Sequence, residues 1–162
     1  MTPEQLVDLE EIKALKHRYM RLLDQKRFEE MRDVFTPDAK TRYSAGKYSH
    51  DGVDSIIEFL VESMSSDGFL SSHRVSQPEI ELIDADTANG TWAFDDHVVM
   101  EDFGLSLRGA GFYQDEYIRT EAGWRIRRTG YKRTFEEVYP RASIDGLKVT
   151  ASYWGTGGRS TL

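Results

Sequence analysis

The chain has 162 residues, no cysteine and a formal net charge of −7. That length is one domain with room for a real core. The lack of cysteine excludes disulfides, thiolate metal sites and a cysteine nucleophile, and the acidic balance argues against nucleic acid or an anionic membrane as the main partner. No apolar run approaches the roughly 20 residues of a membrane span. Met1-Thr2-Pro3-Glu4 has no basic region followed by an apolar segment. No signal peptide is therefore expected, and the cytoplasm is the default compartment.

Thr2-Pro3-Glu4 is a helix start, with an N-cap threonine, proline at the first helical position and an acid in the first turn. Leu9, Ile12, Leu15, Tyr19 and Leu22/Leu23 then recur at spacings of three and four, the buried stripe of one long helix. Tyr19 lies in that stripe, and a buried phenol needs a hydrogen-bond partner. Asp24 sits at the helix's C-terminal end, where a negative charge opposes the helix dipole. It is either a turn residue or a carboxylate aimed into a pocket. Phe28, Met31, Val34 and Phe35 predict a short second helix, ended by Thr36-Pro37-Asp38. Strands are expected at Thr41–Ser44, which carries Tyr43, and at 47–49. A third helix follows Asp51-Gly52, with Ile56, Ile57, Leu60, Val61 and Met64 as its apolar face.

A strand over Phe69–Ser76 places Phe69, His73 and Val75 on one face. His73 there is a structural histidine or a functional one. Ile80–Ile83 continues the sheet after Pro78. Ala88–Asp102, Leu105–Thr120 and Gly123–Phe135 then read as three long strands, separated by short Gly-containing breaks of hairpin type. Long antiparallel strands twist and bend, so the sheet is expected to curve around a concave side. Gly109 and Gly111 are where it bends most easily. In the first long strand Trp92, Phe94, Asp96, Val98 and Met100 share a face. A carboxylate on an apolar face is costly unless it is satisfied or functional. Asp96 is taken as the inward carboxylate; a bulge would put Asp95 there instead. In the last strand the alternation groups Thr129, Tyr131, Arg133 and Phe135 on one face, and Trp124, Ile126, Arg128 and Gly130 on the other. The basic residues of this strand are expected to pair with neighbouring acids rather than bind phosphate. Residues 1–140 form the domain, and 141–162 are a C-terminal extension of it, with a strand at Ser143–Thr150; the end of the tail is either mobile or docks over a pocket or a partner subunit through Tyr153 and Trp154.

Helices followed by a curved antiparallel sheet give an α+β fold, a cone with an apolar pocket in which Tyr19, Asp24, His73 and Asp96 converge. Asp24 would fix one ring nitrogen of His73, leaving the other as a general base. Tyr19 would donate to a carbonyl or leaving oxygen, and Asp96 would hold substrate or act as a second acid/base. Such a set suits proton abstraction with loss of a leaving group, or proton relocation, without metal or organic cofactor. No phosphate-cradling Gly-rich loop and no nucleophile elbow is present.

The ordered set Tyr19-x4-Asp24-x3-Phe28, Phe35-Thr36-Pro37-Asp38-Ala39, Ser72-His73-Arg74-Val75-Ser76, Asp86-Thr87-Ala88-Asn89-Gly90-Thr91-Trp92, Gly111-Phe112-Tyr113-Gln114-Asp115-Glu116-Tyr117 and Gly123-Trp124-Arg125-Ile126 resembles the SnoaL-like branch of the nuclear transport factor 2-like superfamily. Within it the pattern is similar to scytalone dehydratase, bile-acid 7α-dehydratase and hexachlorocyclohexane dehydrochlorinase. The resemblance implies a cone-shaped α+β barrel, a homodimer or homotrimer, and a cofactor-free elimination by His73 and Asp24 with Tyr19 and Asp96. It also implies a small hydrophobic ring-containing substrate, such as a steroid, terpenoid or aromatic polyketide. Tyr43, Phe69, Phe94, Tyr113 and Tyr131 would line the pocket, and Arg133 would be the functional arginine of the last strand. The alternatives are a ketosteroid-isomerase-like isomerase and a non-catalytic binding or assembly subunit, such as the β subunit of a ring-hydroxylating dioxygenase. A cone filled by its own core would favour the assembly reading.

Overall fold

The computed structural model describes all 162 residues. Helix α1 spans Pro3–Asp24 and opens with a complete capping box: the Thr2 side chain accepts from the Gln5 N–H, and the Gln5 side chain accepts from the Thr2 N–H. Its buried stripe is Ile12, Leu15, Lys16, Tyr19, Met20, Leu22 and Leu23. The second predicted helix is a 3-10 turn, Glu29–Val34. Helix α2, Val53–Met64, buries Ile56, Ile57, Leu60 and Met64. No helix is long and apolar enough to cross a membrane.

Six strands follow one another as β1 Phe35–Tyr43, β2 Tyr48–Asp51, β3 Phe69–Leu82, β4 Thr87–Met100, β5 Leu105–Thr120 and β6 Gly123–Pro140, in the spatial order β2-β1-β6-β5-β4-β3. The β4–β6 meander is the predicted one. The expected antiparallel arrangement holds in four of the five strand pairings; β1 runs parallel to β6, so the sheet is mixed, and β2 and β3 leave it open at both edges. No hairpin links β1 to β6: the chain between them runs through β2, α2 and strands β3–β5, so nothing local forces the pair to be antiparallel. Thr36-Pro37-Asp38 lies within β1 rather than ending a helix. Ile80–Ile83 is not a separate strand. β3 runs through Pro78 by a register shift between Ser76 and Glu79, with Gln77 at a φ of 49°.

Two bulges in β6 explain why simple alternation failed there. A register shift opposite Glu116/Tyr117 leaves Arg127 unpaired, so Trp124 and Ile126 face inward together with Thr129 and Tyr131. A second shift, opposite Ala110/Gly111, leaves Thr134 unpaired and turns Phe135 outward, where it is 51% exposed. Each bulge adds one residue and reverses the parity of the strand beyond it. The tail beyond Pro140 forms a 3-10 turn at Arg141–Ser143 but no strand over Ser143–Thr150. Trp154 comes to rest against Lys26, whose Nζ lies 3.8 Å from a Trp154 ring centroid, just beyond the end of α1.

The concave face of the sheet and the two helices enclose a core in which Trp92, Tyr19, Tyr113 and Tyr117 are at most 1% exposed. Each large side chain buried in this way contributes about 1.5–3 kcal/mol.

Candidate active site

The end of α1 is directed at β3. Asp24 Oδ1 lies 2.7 Å from His73 Nδ1, and Asp24 Oδ2 accepts the His73 backbone N–H at 2.8 Å. Ser71, two residues earlier on the same face of β3, donates its hydroxyl to Asp24 Oδ1 at 2.9 Å. An aspartate opposed to the helix dipole thus finds its stabilisation in three hydrogen bonds from the sheet. Because the acceptor at Nδ1 is a carboxylate, that nitrogen carries the proton of the neutral ring, and Nε2 presents its lone pair.

Across the sheet, β4 settles the choice between the two aspartates. Its alternation holds without a bulge against β5, so Asp96 is buried beside Phe94 and Val98, while Asp95 and His97 lie on the outer face. Asp96 Oδ2 stands 3.8 Å from His73 Nε2. Both Asp96 oxygens are held by Arg133 in a bidentate pair, Nη1 to Oδ1 at 2.9 Å and Nη2 to Oδ2 at 2.8 Å. Arg133 Nε lies 2.6 Å from Glu136 Oε2, an ionic contact without hydrogen-bond alignment. The carboxylates raise the guanidinium's proton affinity against the opposing effect of burial. Gly109 leaves room for this guanidinium: a Cβ at that position would collide with Arg133 Nη1 where it now lies.

The phenols form a second group. Tyr19 and Tyr43 share a hydrogen bond of 2.7 Å between their hydroxyls. Tyr113 packs edge-on to Phe94 and Tyr131, at centroid distances of 4.9 and 5.3 Å. Burial holds the Tyr19, Tyr43 and Tyr113 hydroxyls well above their ordinary pKa, so they are neutral donors. The structure therefore joins Asp24, His73, Asp96 and Arg133 directly. It places Tyr19 with Tyr43 in the adjoining aromatic layer, with no hydrogen bond to the histidine. Phe69 is half-buried on the β3 face that carries His73.

Reading from sequence missed the pair beneath that layer. Lys16 and Asp115, both with fully buried side chains, form an ion pair of 2.7 Å. Tyr117 and Thr129 each donate to Asp115 at 2.6 Å, and Trp92 Nε1 donates to the Tyr117 hydroxyl at 2.9 Å. The signal was present: Asp115 alternates with Tyr113 and Tyr117, and Lys16 falls between Ile12 and Met20 at helical spacing.

A cleft of about 1070 Å³ lies on the face of the sheet turned away from α1, along Glu79, Thr91, Phe112, Gln114, Arg128 and Lys132. His73 is not part of it. The histidine side chain is 12% exposed, on β3 at the edge of the sheet.

A SnoaL-like domain family matches residues 4–130. The chain belongs to that family. An uncharacterized Mycobacterium tuberculosis protein is 29% identical over 135 residues, covering 83% of this chain and 90% of its own. Among solved structures of similar fold, one named "Putative Scytalone Dehydratase" from Novosphingobium aromaticivorans superposes with a TM-score of 0.79 at 22% identity, covering 86% of this chain and 92% of that one. A hexachlorocyclohexane dehydrochlorinase, LinA-type3 from Novosphingobium barchaimii, superposes at 0.76 with 16% identity, covering 90% and 97%. A nuclear transport factor 2-like protein with a cystatin-like fold, also from Novosphingobium aromaticivorans, matches at 0.68 with 21% identity, covering 81% and 84%. The predicted α+β cone is therefore the fold of this SnoaL-like chain.

Proposed function

We propose that this SnoaL-like domain is a lyase that needs no cofactor, acting on a small hydrophobic ring-containing molecule by general base catalysis. The observation that carries this reading is the carboxylate–imidazole dyad. Asp24 spends both oxygens on His73, one on the ring and one on the backbone, and so fixes tautomer and ring orientation together. Nε2 takes a proton from carbon; the C–H electron pair becomes a new C=C bond; the leaving group departs from the neighbouring carbon with its own bonding pair. Asp24 stabilises the imidazolium that forms, and Asp96 is the nearest acid to the arriving proton. In this reading the Tyr19–Tyr43 pair, whose hydroxyls share a hydrogen bond, supplies the donor to a substrate oxygen. The dehydratase and dehydrochlorinase names among the structural relatives agree with this chemistry.

The test is product analysis by mass spectrometry with hydroxylated and halogenated steroids, terpenoids and aromatic polyketides. Loss of one water or one hydrogen halide with wild type, absent with His73→Ala, supports the lyase. Unchanged mass with altered retention indicates an isomerase, in which the same base returns the proton elsewhere. A second reading, a binding or assembly domain, is favoured by one observation: the cone interior is filled by its own aromatic side chains. Equal binding by both proteins with no product would support it.

A further inference from the structure

The Lys16–Asp115 pair has no part in the proton transfer, yet it is the most thoroughly buried charge in the molecule. We infer that Lys16 and Asp115 are positioning residues for the reaction proposed at His73, acting through the ring of Tyr113; the inference deepens that reading and rests on it. Lys16 Nζ lies 3.7 Å from the Tyr113 ring centroid and 4.9 Å from that of Tyr19. It stands 2.7 Å from Asp115 and 3.5 Å from Thr129 Oγ1.

From Tyr113 a continuous series of contacts leads to the histidine. Tyr113 packs on Phe94 at 4.9 Å, the Arg133 guanidinium lies 5.5 Å from the Phe94 ring centroid, and Arg133 clamps Asp96, which faces His73 Nε2. A cation over a ring is a directional contact, because the attraction is to the ring face. An apolar side chain of the same length would fill the space without fixing the tilt. A buried ion pair is a poor source of stability, since well-packed apolar groups of equal volume often serve as well or better. What it supplies is orientation. Asp115 fixes the ammonium, and Tyr117 and Thr129, both donating to Asp115, fix the carboxylate. The ring so held backs Phe94 and Tyr131, the two rings over which the Arg133 guanidinium lies.

The experiment compares wild type with Lys16→Met/Asp115→Asn, which removes both charges at nearly constant volume, and with the milder Thr129→Val. Protein carrying 3-fluorotyrosine is studied by fluorine NMR, with Tyr113 assigned by Tyr113→Phe. Kinetics use any panel compound that wild type converts and His73→Ala does not. The expected result is a folded double variant whose Tyr113 resonance is exchange-broadened or split, and whose kcat falls by about tenfold or more with KM changed less than about threefold, the signature of lost near-attack geometry. Thr129→Val should lie between, so the comparison survives if the double variant does not fold. An unchanged Tyr113 resonance with unchanged kcat would overturn the inference and leave the pair a packing element. If wild type converts nothing, the lyase reading fails separately. The fluorine spectra then still decide whether the pair orders the ring.

Discussion

Asp96 Oδ2 stands 3.8 Å from His73 Nε2 while both Asp96 oxygens are occupied by Arg133. The carboxylate is close enough to attract a proton arriving at the imidazole, and its charge is balanced until one arrives. Asp24 at Nδ1 and Asp96 facing Nε2 flank the histidine, and beyond Asp96 the line runs through Arg133 to Glu136.

Removing the base should separate activity from stability. His73→Ala deletes a half-buried ring from β3, which keeps its ladder with β4. Turnover should fall by about 10²–10⁴, with a thermal midpoint within a few degrees of wild type. Asp24→Asn should lower kcat by a comparable order, because it removes the charge that stabilises the imidazolium. If His73→Ala unfolds the domain in circular dichroism, the histidine is a structural residue.

The Asp96–Arg133 pair should behave as one unit. Arg133→Met leaves a buried carboxylate without its partner, a loss of about 3–5 kcal/mol. Asp96→Asn/Arg133→Met should be markedly less destabilised than Arg133→Met alone. Denaturant melts of the singles and the double give the coupling; additive losses would show that the pair acts independently.

Gly109 tests the same pair from the backbone. Its missing Cβ makes room for Arg133 Nη1, the mobile end of a side chain, whereas a Cβ on Gly111 would meet the Lys132 backbone. Gly109→Ala should displace the guanidinium and lower activity with the fold kept. Gly111→Ala should mainly destabilise. Equal thermal shifts and equal activities in the two variants would contradict this.

Alkaline pH should unfold the protein steeply. Burial raises the pKa of Tyr19, Tyr43, Tyr113 and Tyr117 in the folded chain. Above about pH 10 an unfolded tyrosine has lost a proton that the folded one keeps, so stability falls with rising pH, by about 1.4 kcal/mol per pH unit for each group. Lys16, whose pKa burial lowers, works in the opposite sense but contributes one proton against four. Chemical melts between pH 8 and pH 11, with tyrosinate absorbance read alongside, should show stability dropping only where free tyrosine ionises. Ionisation of these phenols in the folded protein near the ordinary value would contradict it.

The meander and the α1 stripe were legible because each obeys a local period, and His73 and Asp96 took their faces from strand alternation with Asp95 left as the alternative; Asp24 stood out only as an acid opposed to the helix dipole, open between turn and pocket. The two β6 bulges were not, since Arg127 and Thr134 are ordinary residues in an alternating run and only the pairing register shows which is left over. The parallel β1–β6 contact depends on how distant segments meet, which no local pattern records. Lys16 and Asp115 sat at buried positions of their own periods, but a charge at such a position looks like a surface residue until its partner is known. The filled interior is a matter of packing: alternation tells which rings point inward, not whether they leave space.

The most direct measurement is proton abstraction itself. Wild type and His73→Ala would be incubated in D2O with the same ring-compound panel and the products weighed by mass spectrometry. Loss of water or hydrogen halide, or gain of deuterium at a carbon, should appear with wild type and be absent in His73→Ala. Neither change with either protein, while both bind the compounds equally, would contradict the general-base account and leave a binding domain.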